Sequence, residues 1–88
     1  MSVKILSWAI RVPVNEPIQK LVLLALADGV APDSLKIALH YNQAEPGWDF
    51  GDALNWLFME GLIKVEDERL YFFLGSRDGW EDRSGHTL

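Results

Sequence analysis

Apolar residues recur with helical spacing through most of the chain and with strand spacing near its end. Ile5, Trp8, Ala9 and Val12 fall at i, i+3, i+4 and i+7, one face of a helix. Pro13 closes the segment because its ring cannot continue the hydrogen-bond ladder. A short helix from Val3 to Val12 is expected, with a strand as the weaker reading because the stretch holds several β-branched residues. The second helix starts at Asn15-Glu16-Pro17. Asn15 suits an N-cap, Glu16 suits the positive helix end, and Pro17 is tolerated in the first turn. Ile18, Leu21, Val22 and Ala25 share a face, while Leu24 and Leu26 widen it, so this helix is expected to be covered on several sides. Gly29 is its stop.

A third helix is expected from Leu35 to about Tyr41, capped by Asp33 or Ser34, with Leu35, Ala38 and Leu39 inward. The run Asn42-Gln43-Ala44-Glu45-Pro46-Gly47 reads as a turn. A fourth helix starts at its N-cap Asp49, and Asp52 stands where a capping box places its acid. Phe50, Ala53, Leu54, Leu57 and Phe58 form its stripe, and Gly61 ends it. The period then falls to 2. Leu62 to Val65 and Arg69 to Leu74 read as a β-hairpin around Glu66-Asp67-Glu68. Residues 1–75 are expected to form the domain and 76–88 a loose, flexible tail in which Trp80 is the one large apolar group.

The length of 88 residues allows a single core, and 49% hydrophobic residues are enough to build one. The absence of cysteine removes disulfides, thiolate zinc sites and cysteine nucleophiles. No apolar run approaches the roughly 18 residues of a membrane span, and the start Met1-Ser2-Val3-Lys4 lacks a signal peptide's apolar stretch. A cytoplasmic protein without membrane association is expected. Eight Lys and Arg against 13 Asp and Glu give a net charge of −5, which disfavours non-specific nucleic-acid binding.

The expected fold class is mainly α (α+β): helices followed by a C-terminal two-stranded hairpin, the order of a winged helix. The chain also resembles the winged helix-turn-helix domains of phage replication initiators and prophage regulatory proteins. Lys4-Ile5-Leu6-Ser7-Trp8-Ala9, the KLVLLALAD run from Lys20 to Asp28, and Met59-Glu60-Gly61-Leu62-Ile63 carry this resemblance. It implies a recognition helix preceding a wing. Family members carry Ser, Thr, Arg and Lys at the start of that helix. Here Asn42 to Ile63 holds four acids (Glu45, Asp49, Asp52, Glu60) and no Lys or Arg, and the wing tip is Glu66-Asp67-Glu68.

Catalysis has little support. His40 and His86 are the only histidines; they form no spaced pair for zinc, and Ser7 and Ser34 have no adjacent base. Asp49 and Asp52 could serve as acid and base or hold Mg²⁺, but helix capping accounts for them. Trp56 either packs on the hairpin aromatics Tyr71 or Phe73 or stands exposed as a binding anchor. The reading is a non-enzymatic protein without cofactor or metal, acting as a modulator or inhibitor by protein contact, with self-association left open. Trp48, Asp49, Asp52, Asn55, Trp56 and Glu60 would face a partner, itself basic or nucleic-acid-binding. The alternative is a DNA-binding regulator or replication accessory using Lys36, Lys64 and Arg69, with Lys4 and Lys20 as further cations.

Overall fold

The computed structural model describes residues 3–34 and 49–87. Helices α1 (Val3–Arg11), α2 (Pro17–Ala27) and α3 (Phe50–Met59) are followed by strands β1 (Ile63–Glu66), β2 (Arg69–Phe73) and β3 (Trp80–Glu81). The strands form one antiparallel sheet in the order β1-β2-β3. The chain is thus an α+β fold. Residues 32–34 are also helical. Asp33 and Ser34 therefore sit inside the turn they were expected to cap, and Pro32 ahead of them has the fixed φ that suits a first helical position. The expected helix from Leu35 to Tyr41, the turn from Asn42 to Gly47, and Lys36, His40 and Trp48 lie outside the described residues.

The helix ends follow local chemistry. Pro17 fixes the start of α2 and pushes the residue before it to extended backbone. Glu16, at φ −136° and ψ 152°, is therefore the N-cap in place of Asn15. Gln19 Oε1 accepts from the amides of Glu16 at 2.8 Å and Asn15 at 2.9 Å. At the C-terminus of α2, Gly29 donates to Leu26 at 3.2 Å and Val30 to Ala25 at 3.0 Å. The same pair of bonds recurs after α3, from Gly61 to Phe58 and from Leu62 to Leu57 at 3.0 Å. Each is a Schellman motif, which needs a left-handed residue at the glycine.

The core lies between α1, α2, α3 and one face of the sheet. Ile5 and Ala9 of α1, Val22, Leu23 and Leu26 of α2, Leu57 of α3, Ile63 of β1 and Phe72 of β2 are fully or almost fully buried. The α1 face expected from spacing is the buried one, with Trp8 set edge-on to Phe72 at 6.0 Å. The α2 surface is covered more widely than one stripe, with Gln19, Leu23, Leu26 and Ala27 buried beside Ile18 and Val22, whereas Leu21, expected on the inner face, is 42% exposed. Along α3, Ala53 and Leu57 are buried, whereas Phe58 at the margin of the stripe is exposed.

The hairpin register pairs Ile63 with Phe72 and Glu66 with Arg69. The connecting residues are Asp67 (φ 51°) and Glu68 (φ 65°). Positive φ at both central positions is the two-residue turn whose twist matches a hairpin.

The stretch expected as a loose tail instead completes the sheet. Phe72 pairs with Glu81 and Phe73 with Trp80, and Glu81 and Asp82 are buried. A boundary after residue 75 would divide this sheet, because β3 lies beyond it. Polar composition concealed the strand: its burial is supplied by a tilted ring contact of Trp80 with Phe73 at 4.9 Å and by charge pairing.

Candidate functional site

The acids singled out by the sequence sit at the two ends of α3. Asp49 is the N-cap, and its Oδ1 accepts the Asp52 amide at 3.1 Å. Both carboxylates are exposed. Asn55, one turn on, is exposed, as is Glu60 at the C-cap. Asp52, Asn55 and Met59 follow one another at i, i+3 and i+7 on the outer surface. Trp56 is half-buried and packs against the core. Of the six candidate residues, the structure therefore places Asp49, Asp52, Asn55 and Glu60 at the surface and Trp56 at its margin.

Of the cations of the DNA-binding alternative, the described Lys64 and Arg69 are paired within the chain, as are Lys4 and Lys20. Lys64 Nζ lies 4.5 Å from the Trp80 ring centroid and 3.4 Å from Glu66. Arg69 pairs with Asp82 at 3.3 Å. Lys4 reaches Asp78 at 3.2 Å and Glu81 at 2.9 Å. Lys20 donates to the carbonyls of Ala9 at 2.7 Å, Ile10 at 3.0 Å and Val12. Ala9 and Ile10 lie in the last turn of α1 and Val12 just follows it, where a cation also meets the negative helix end.

Asp82 is the organising carboxylate of the C-terminal loop. Its Oδ1 accepts from the Ser84 hydroxyl at 2.7 Å, the His86 amide at 2.9 Å and the Ser84 amide at 3.0 Å. Burial pushes this carboxyl up. The Ser84 hydroxyl, the two amides and Arg69 outweigh burial and leave it below the ordinary aspartate value of 3.8. The carboxylate of Glu81, then that of Asp78, holds the Lys4 ammonium above the ordinary 10.5.

A groove of about 790 Å³ runs between the C-terminal end of α2, α3, the hairpin and the C-terminal loop. Leu26, Leu54, Phe58, Val65 and Leu70 are its apolar lining, with Asp28, Glu68, Arg69 and Arg83 among its charged groups. Among the described residues, no group of three or more His, Asp or Glu is placed to hold a metal ion. None of the described helices is long and apolar enough to cross a membrane. The roles of Lys20, Glu81 and Asp82 escaped sequence reasoning. Glu81 depends on Lys4 at the other end of the chain, Lys20 on the carbonyls of another helix, and Asp82 on a loop whose amides and hydroxyl no periodicity marks. In comparisons with known proteins, the chain matches no family model, no curated protein and no solved structure.

Proposed function

We propose that the chain is a non-enzymatic domain of winged-helix type that acts through protein contact, with the outer surface of α3 as its binding face. One observation carries this reading. The exposed polar groups of α3 are acids and an amide (Asp49, Asp52, Asn55, Glu60), whereas Lys4, Lys20, Lys64 and Arg69 each have a partner within the chain. In a winged helix that binds DNA, the recognition helix enters the major groove. A helix N-terminus attracts phosphate, but here Asp49 occupies its amides and Asp52 adds a second negative charge. The same surface suits a basic protein, including one whose own ligand is nucleic acid.

Affinity capture with the wild-type chain and with Asp49→Asn/Asp52→Asn as baits tests the proposal. Asn retains capping ability, so the variant keeps its fold while losing charge. The reading predicts a captured basic protein whose association slows in the variant and loses salt dependence. Equal capture and equal salt dependence by both baits would remove the acidic face from the mechanism.

A further inference from the structure

We propose that β1 is the contact edge of a symmetric homodimer, paired antiparallel with β1 of a second copy about a two-fold axis at Val65. The far side of β3 is occupied by the bridge from Glu81 to Thr87. Among the described residues, no strand lies beyond β1, and Val65 is 59% exposed. The Phe73 amide donates to the Leu62 carbonyl at 2.9 Å. Antiparallel alternation then turns the backbone groups of Lys64 and Glu66 toward β2 and those of Ile63 and Val65 outward.

Centring the two-fold axis on Lys64 or on Glu66 would set that charge against its own copy, so the axis falls on an uncharged residue whose backbone groups face outward. With Val65 there, its N–H and C=O exchange bonds with Val65 of the second copy. Lys64 then faces Glu66 of that copy, and Glu66 faces its Lys64, so every charge on the edge meets its opposite. Centring on Ile63 would instead bring Glu66 against Glu60 of the second copy, like charge against like. Charge on an edge strand ordinarily deters pairing; this sequence of charges deters other registers and admits one. Apolar surface flanks the edge as well. Phe58 and Val65 line the same groove, and Met59 beside them is 79% exposed. The acids at the start of α3 lie at the opposite end of that helix from Phe58 and Met59. A dimer would therefore display two acidic faces, yet the inference does not depend on the proposed function.

The chain has no cysteine, so one introduced thiol reports a two-fold contact unambiguously. Under mild oxidation, Val65→Cys should form a disulfide dimer, while the exposed control Val3→Cys stays largely monomeric. In analytical ultracentrifugation, Lys64→Glu should weaken association about tenfold, because symmetry applies the repulsion twice. The double swap Lys64→Glu/Glu66→Lys should restore association. Circular dichroism verifies folding of each variant. A wild-type chain that remains monomeric to millimolar concentration, or equal cross-linking of the two cysteine variants, would overturn the proposal.

Discussion

Lys20 and Glu68 show how single residues shape this fold. Lys20 resembles a solvated helix charge in the sequence, yet its ammonium group satisfies the end of α1. Lys20→Met keeps the stem and removes the donor, so it should destabilise the chain by about 1.5–3 kcal/mol, as charged hydrogen bonds do. A change below about 0.5 kcal/mol in urea unfolding would show that water replaces the ammonium without loss. Glu68 presents the opposite case. Its φ of 65° lies in the left-handed region, which a glycine adopts without strain. Glu68→Gly creates the favoured Asp-Gly turn and should raise stability by roughly 0.5–1 kcal/mol. A lower urea midpoint would mean that the Glu68 side chain makes a contact outweighing its backbone strain.

Among the elements, α1, α2 and α3 were legible because burial imposes the 3.6-residue period on their sequences. Their glycine stops were legible because only a left-handed residue completes each C-terminal motif. The hairpin was legible from its change to period 2 and its polar turn. The strand at Trp80 was not, because two residues are too few to show a period and one of them is an acid. Its burial rests on Lys4 from the opposite end of the chain and on Arg69. Deletion of residues 76–88 should therefore cost at least about 2 kcal/mol, the order of burying one large side chain. An unchanged melting temperature would show that β3 adds nothing to the sheet. In the core itself, Leu57→Ala should cost about 2–5 kcal/mol. A loss under about 1 kcal/mol by denaturant unfolding would contradict the packing of α3.

For the whole molecule, Asp82 links stability to pH. Its folded value lies below the unfolded 3.8. Its contribution is therefore complete above pH 3.8 and is lost as pH falls through the lower folded value. Asp82→Asn should unfold more easily at neutral pH and lose less stability than wild type on acidification below 3.8. Parallel acid limbs for the two proteins would show that Asp82 titrates as it does unfolded. The Lys4 pairing has the opposite sign: its contribution is complete below pH 10.5 and declines as pH rises through the higher folded value.

The candidate face was legible as a run of acids, because charge needs no partner to be read. The engagement of its rival cations was not, since each pairing spans separate elements. That contrast puts the central claim within reach of one measurement: titration of the wild-type chain against mixed-sequence duplex DNA over a salt series. Non-specific DNA binders reach roughly 10⁻⁴–10⁻⁶ M at physiological salt. With acids at α3 and Lys4, Lys20, Lys64 and Arg69 paired within the chain, this chain should show no binding in that range, and lowering the salt should recover little. Tight duplex binding that weakens steeply with added salt would contradict the account and assign α3 to DNA.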